Sequence, residues 1–235
     1  MTKLITAVLV SVFLTFSSIA QTIEWEGREF EVSGVKASIV TLRGEEVLRV
    51  ERDLSAMPFD EKNLSETVDL PTYVKLKDFV FKDGIFEVKV LSRIQSPSRF
   101  LMSQGFIGVA FRIADGNTGF ESIYLRPNVA RSESQKARNA AVQYWSYPDF
   151  KFDRLRKESS GEYETYSDMG LDEWLTMRIE VTGKRAALYL NDQEYPTLIV
   201  NNMKGASESG FIGLWVDIGT EGYFKDFKII SSLKR

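Results

Sequence analysis

The sequence predicts an all-β fold, a two-sheet antiparallel sandwich. Three observations carry the prediction. Apolar and polar residues alternate with period two along most of the chain, turn residues punctuate the alternating runs, and long helical periodicity is nearly absent. Successive strand side chains point to opposite faces, so a half-apolar run marks a strand with one buried side. Many short strands, spaced roughly 8–15 residues apart, form a sandwich or a barrel.

The first twenty of the 235 residues are read as a leader. Lys3 gives a positive start, Leu4 to Phe16 is apolar apart from Thr and Ser, and Ser17-Ser18-Ile19-Ala20 ends in small residues. This is the pattern of a secretory signal peptide cleaved after Ala20. The apolar run of about 13 residues is shorter than the ~20 a spanning helix needs. No Cys follows it to carry a lipid. The expected mature chain, 21–235, has no Pro/Gly/Ser-rich linker and no internal repeat, so it reads as one domain that is secreted or periplasmic. No later stretch is long and apolar enough to span a membrane.

Elements follow in order. Lys36–Leu42 and Val47–Glu51 flank Arg43-Gly44-Glu45, a hairpin signal. Tyr73–Phe81 and Ile85–Leu91 flank Lys82-Asp83-Gly84, whose Asp-Gly pair suits a second tight hairpin. Phe106–Ile113 alternates and breaks at Asp115-Gly116-Asn117. Ser122–Arg126 stops at Pro127, and Ala141–Trp145 stops before Pro148. Trp174–Val181 and Arg185–Leu190 flank Thr182-Gly183-Lys184. Phe211–Ile218 and Tyr223–Ile230 flank Gly219 to Gly222. Asp53–Leu70 is polar and irregular, a long loop. Ser132–Ala140 has room for one or two helical turns under a Ser cap. The expected core sets are Ile107, Val109, Phe111, Ile113; Leu175, Met177, Ile179, Val181; and Ile212, Leu214, Val216, Ile218, packed between two sheets.

Composition removes whole classes of chemistry. The chain has no Cys and no His. It therefore has no Ser-His-Asp or Cys-His nucleophile, no imidazole or thiolate metal site and no disulfide. Net charge is −3 with no basic run, which argues against nucleic acid as a partner. No cofactor is expected. Calcium has candidate ligands in Asp115, Asn117 and Asp192, but they form no dense oxygen motif.

The faces opposite the core carry the functional candidates. Arg112 is out of phase with its core neighbours and lies beside Gly108 and Ala110. Tyr124, Arg126, Gln143, Trp145, Trp215 and Asp217 likewise alternate away from the core, and Asn128 follows Pro127 into a loop. On neighbouring strands these groups would share one surface. A pyranose offers an apolar face to an aromatic ring and hydroxyl pairs to Arg and Gln, and Arg also suits a carboxylate. Arg131, Lys136, Arg138, Tyr147, Asp149, Arg154 and Arg156 are placed to rim a groove or to be plain solvated loop surface. Glycoside hydrolysis needs two carboxylates about 5–9.5 Å apart. Glu24/Glu26, Glu29/Glu31 and Glu162/Glu164 have same-face spacing, but none sits in a clear central strand. Asp217 is the best isolated carboxylate, sharing a face with Trp215.

The run Phe81-Lys82-Asp83-Gly84-Ile85-Phe86-Glu87-Val88, followed by Gly105-Phe106-Ile107-Gly108-Val109-Ala110-Phe111-Arg112, resembles the concanavalin A-like lectin/glucanase sandwiches. So do Trp174–Leu190, Gly210–Trp215 and Phe224–Ile229. Among these, the bacterial laminin-G-like or 3-keto-disaccharide hydrolase-like domains look most similar, over about residues 36–230. The resemblance implies a jelly roll with a concave sugar-binding face. The Glu-x-Asp-x-x-Glu strand of the laminarinase-type enzymes is missing here, so their mechanism does not carry over.

The expectation is a saccharide-recognising domain with contacts at Arg112, Tyr124, Arg126, Asn128, Gln143, Trp145 and Trp215. A glycoside hydrolase or lyase-like enzyme using Asp217 or a Tyr, and a cell-envelope protein-interaction module, are the alternatives.

Overall fold

The computed structural model describes residues 21–98 and 100–231, so the leader expected at 1–20 lies outside the described residues. The strands in chain order are β1 (Thr22–Trp25), β2 (Arg28–Ser33), β3 (Val35–Leu42), β4 (Glu45–Arg52), β5 (Tyr73–Leu76), β6 (Gly84–Ile94) and β7 (Ile107–Ile113). They continue as β8 (Phe120–Leu125), β9 (Val142–Tyr147), β10 (Glu164–Thr165), β11 (Leu175–Thr182), β12 (Arg185–Leu190), β13 (Leu198–Val200), β14 (Phe211–Val216) and β15 (Thr220–Ser231). Four short helices lie between them: α1 (Leu64–Thr67), α2 (Pro127–Ala130), α3 (Gln135–Arg138) and α4 (Phe152–Glu158).

The fold is the expected all-β antiparallel sandwich. One sheet has eight strands in the order β1-β2-β5-β14-β7-β8-β9-β10, and the other has seven in the order β13-β12-β11-β6-β15-β4-β3. All twelve residues of the three core sets are at most 4% exposed, and ten of them lie between the sheets as alternation requires. Ile113, past a register shift in β7, lies instead beside Tyr73 on the opposite face. Ile218, past the end of β14, packs in a cluster over that face. The β3–β4 and β11–β12 hairpins form as expected. The first turns on Arg43 and Gly44, both at positive φ (55° and 85°), the geometry that matches strand twist. Ser134 caps α3 by accepting the Ala137 N–H at 3.3 Å.

One expected hairpin does not form. β5 belongs to the eight-stranded sheet and β6 to the seven-stranded one, so residues 77–83 cross between layers. Asp83 does not close a two-residue turn. Its carboxylate accepts the Gly183 N–H at 2.9 Å and the Arg112 guanidinium at 3.0 Å, tying the crossover to the β11–β12 turn. The Asp-Gly pair reports a local bend, and the partner strand is decided by long-range packing.

The outer face of the eight-stranded sheet is also buried. Register aligns Tyr73 with Trp215, Trp215 with Gly108, Gly108 with Tyr124, and Tyr124 with Gln143. Ser122 aligns with Trp145. Rings of this size are costly to leave in water. The segment read as a polar loop covers them. Its few apolar side chains, Leu54, Phe59, Leu64 and Val68, turn inward and pack with Phe100, Phe106, Phe152 and Ile218 in a second hydrophobic cluster. Thus the sandwich has a third, irregular layer over one sheet. No helix among the described residues is long and apolar enough to cross a membrane.

Candidate functional site

Between that irregular layer and the sheet lies a hollow of about 260 Å³, lined by Asp69, Phe106, Tyr124, Arg126, Phe152, Arg156 and Asp217 among others. Strand β8 delivers Tyr124, and Arg126 follows it just before Pro127 opens α2. Proline fixes φ and suits the first helical position, which ends the strand here. Helix α4 brings Phe152 and Arg156 in from the side, and the long loop brings Asp69.

Arg126 is 8% exposed. Its Nη2 donates to the Tyr124 hydroxyl and to Gln143 Oε1 (2.6 Å), and its Nη1 reaches the Ala140 carbonyl at 3.4 Å. Its buried Nε finds no acceptor among the described residues. The guanidinium is boxed by three rings, Phe106, Tyr124 and Phe152, at 5.9, 5.1 and 5.9 Å from their centroids. Gln143 Oε1 also accepts from Arg156 Nη2 at 3.4 Å, and Arg156 Nε pairs with Glu164 at 2.8 Å. The Arg156 charge is therefore shared with a carboxylate of its own.

Asp69 is buried and held at positive φ (52°). Its N–H donates to Asp217 Oδ2 at 2.8 Å, and its own Oδ2 accepts the Phe152 N–H at 3.3 Å. Its Oδ1 has no hydrogen bond among the described residues. Burial above all, then the neighbouring Asp217 charge, pushes its carboxyl up to about 7. Arg126, the Phe152 N–H and Lys151 pull it the other way. Burial also raises the Tyr124 hydroxyl above its ordinary value.

The sequence candidates divide into four groups. Tyr124 and Arg126 line the hollow, and Gln143, outside its lining, accepts from Arg126. Trp145 and Trp215 lie on the same sheet face, with ring centroids 5.6 Å apart, but beneath the covering layer. The Trp215 indole N–H donates to the Leu70 carbonyl at 2.9 Å. Asn128 is exposed and reaches Ser103 O and Gln104 Oε1, both at 3.3 Å. Arg112 stands apart. Strand β7 has a register shift opposite Phe211–Gly213, and Arg112 itself has φ +51°, so a bulge turns its side chain away from the sheet face. The guanidinium instead bonds the carbonyls of Lys82 and Gly183 at the sandwich rim.

Asp217 is close to the hollow but fully engaged. Oδ1 accepts from Arg52 (2.7 Å) and from the Ile218 N–H (2.7 Å), and Oδ2 accepts the Asp69 N–H. Glu164 is taken by Arg156, Glu29 by Lys77 at 2.9 Å, and Glu26 by the N–H groups of Asp226 and Phe227. Among the described residues no cluster of three Asp or Glu side chains is placed to hold a metal. Asn117 Oδ1 already accepts from Lys75 at 3.0 Å. Sequence reasoning missed Asp69 and Phe152. Both lie in segments with no periodicity, so no pattern in the sequence marked either as buried.

A guanidinium, a carboxyl that titrates near neutrality and aromatic walls can orient a polar ring and exchange a proton with it. Residues 25–230 match the model of the 3-keto-alpha-glucoside-1,2-lyase-like domain family. The chain belongs to that family. No curated protein matches it. Among solved structures, the carbohydrate-binding module CBM66 from Bacillus subtilis is similar at 11% identity and TM-score 0.53, covering 85% of this chain and 97% of that one. A Bacillus subtilis protein with a galectin-like fold aligns at 11% identity and TM-score 0.48, covering 86% and 90%. At 11% identity the likeness to CBM66 is one of fold.

Proposed function

We propose that this lyase-like domain binds the sugar ring of a glycoside in the hollow over Arg126, and that the ring it takes carries a ketone. One observation supports the site most directly: a guanidinium nine-tenths buried, boxed by three aromatic rings, with Nε unpaired. Such a group is costly to bury without acceptors, and sugar hydroxyl or carbonyl oxygens supply them. The volume, about 260 Å³, suits one ring rather than a long oligosaccharide. The ketone comes from the activity in the family's description. Arg126 donates to the oxygens of the ring, and Phe106 and Phe152 face its C–H surfaces. The chain acts outside the cytoplasm as one domain, 21–235, after a leader is removed behind Ala20; N-terminal sequencing of the exported protein checks this.

Calorimetric titration with methyl α-glucoside and its 3-keto counterpart tests the site. The keto sugar is expected to bind more tightly, and Arg126→Ala to lose at least tenfold in affinity while still folded. Saturable binding of neither sugar, or affinity unchanged in Arg126→Ala, overturns the reading.

A further inference from the structure

The hollow over Arg126 has a floor and a mouth of different chemistry, and exposure separates the two. Tyr124, Arg126, Asp69 and Asp217 line it and are each at most 8% exposed, so they form the floor. Met102, at 62%, is the most exposed lining residue and marks the mouth, with Leu64 half-buried. Phe100 and Val68 also line the hollow and are buried in the second hydrophobic cluster, against which Leu64 packs. The polar groups are thus deep, and an apolar wall runs outward from them to the surface.

The wall is held by hydrogen bonds of its own. Ser98 Oγ donates to the Phe100 carbonyl at 2.8 Å and accepts the Phe100 N–H at 3.2 Å. The Phe100 carbonyl also accepts the Ser103 N–H at 3.0 Å. Ser103 Oγ donates to the Ile218 carbonyl at 3.1 Å, and the Asn128 N–H donates to the Gln104 carbonyl at 3.1 Å. Residues 100–104 are therefore fixed to β14 and α2 at their far end. Phe100 turns in against Phe59, with ring centroids 5.0 Å apart, and Met102 is left in water.

Hydrogen-bonding capacity follows the same division. On the floor, Arg126 Nε has no acceptor among the described residues. Further out the polar lining groups are Gln104 and Arg156, and the protein already engages both. Gln104 Nε2 donates to the Met102 carbonyl at 2.8 Å, and its Oε1 accepts from Asn128 at 3.3 Å. Arg156 is paired with Glu164 and bonded to Gln143. A second sugar at the mouth would give up water from its hydroxyls without gaining these partners, which is unfavourable. A hydrocarbon group there gains by leaving water. The unbranched thioether of Met102 can adapt to groups of different shape.

Resting on the sugar-ring reading above, we infer that the substrate is a glycoside with an apolar aglycone, and that Leu64, Phe100 and Met102 select it. The sugar ring lies on the polar floor, its glycosidic oxygen points outward, and the aglycone lies along the wall. A disaccharide, whose aglycone is a second sugar, is the poorer ligand.

The test is calorimetric titration of the full mature chain with three ligands: methyl 3-keto-α-glucoside, hexyl 3-keto-α-glucoside, and an α-linked glucose disaccharide oxidised at C3 of its non-reducing ring. The hexyl glycoside is expected to bind about tenfold or more tightly than the methyl one. Its heat-capacity change on binding should be the more negative, as burial of apolar surface requires. The disaccharide is expected to bind no more tightly than the methyl glycoside. Met102→Gln, at an exposed position outside the core, is expected to cut the hexyl-to-methyl affinity ratio by about threefold or more. Arg126→Ala is expected to weaken the methyl and hexyl glycosides alike. A hexyl glycoside no tighter than methyl, a disaccharide tighter than both, or a ratio unchanged in folded Met102→Gln overturns the apolar mouth and leaves the ring site standing. Hexyl binding that survives Arg126→Ala while methyl binding is lost is adsorption elsewhere and overturns it too. Saturable binding of none of the three overturns both readings. The wild-type series decides by itself should a variant fail to fold.

Discussion

Arg52 and Asp217 meet at 2.7 Å with side chains 1% and 3% exposed, and this buried pair anchors the irregular third layer. Arg52 also donates to the carbonyls of Met57 (3.0 Å), Pro58 (2.8 Å) and Thr67 (2.7 Å), while Asp217 accepts the Asp69 N–H. A single guanidinium thus fixes both ends of the long loop. Removing one partner leaves an uncompensated buried charge, which costs about 3–5 kcal/mol. Arg52→Ala and Asp217→Asn are each expected to lower denaturation free energy by that order and to loosen residues 53–70. Hydrogen exchange at the Asp69 amide reads the second effect, and unchanged protection there would mean the loop is held by its apolar contacts alone.

Asp69 gives stability a pH dependence of unusual sign for a carboxylate. Its folded pKa, about 7, lies above its ordinary value of 3.8. Between those two pH values the folded chain keeps a proton that the unfolded chain has released. Stability from this group is therefore complete below about pH 4 and falls as pH rises through 7. Asp69→Asn carries no such proton. Its stability relative to wild type is expected to rise between pH 4 and pH 8, on the order of 4 kcal/mol. Urea denaturation at both pH values checks this, and a gap that stays flat would place the carboxyl's titration outside the window.

Gly108 stands between Trp215 and Tyr124 in the sheet register, and the structure leaves no room there for a larger side chain. A Cβ there would stand 2.3 Å from the Ile123 carbonyl oxygen and 2.6 Å from Tyr124 Cα, both backbone atoms that cannot move aside cheaply. Gly108→Ala is expected to destabilise by about 3 kcal/mol or more through strand separation of β7 and β8. A thermal shift of less than a degree or two would show that the sheet relaxes there.

The core was legible because period two leaves no freedom: once Val109 is inside, Ile107 and Phe111 must be, and each is fully buried. The same alternation correctly placed Tyr124, Gln143, Trp145 and Trp215 on the opposite face. Periodicity carries no information on what covers that face. The cover is a segment whose apolar residues, Leu54, Phe59, Leu64 and Val68, have no common spacing, so Asp69 beside them was invisible as a buried group. Arg112 illustrates a second limit. A one-residue bulge shifts the phase of every side chain after it, and a positive φ at Arg carries no sequence signal. The 77–83 crossover illustrates a third, since a turn signal gives the bend and not the sheet that receives the next strand.

Arg112 offers the sharpest separation between a rim clasp and a ligand contact. Its Nε and Nη2 bond the Lys82 carbonyl at 3.1 and 2.9 Å, and Nη2 also reaches Gly183 O at 2.8 Å and Asp83 Oδ1 at 3.0 Å. It thereby clips the β5–β6 crossover to the β11–β12 turn, joining the two sheets at one end. Arg112→Ala takes this donor from two carbonyls and leaves the Asp83 carboxylate with only the Gly183 N–H, a loss of about 2–4 kcal/mol. Arg112→Lys keeps the charge, but a single ammonium cannot reproduce the planar fork, so recovery is expected to be partial. Because this clasp is made on Lys82, Asp83 and Gly183, none of which lines the Arg126 hollow, keto-sugar affinity of the folded Arg112→Ala protein should match wild type. Affinity lost in that variant while its circular dichroism stays native would move the binding site from the Arg126 hollow to this end of the sandwich.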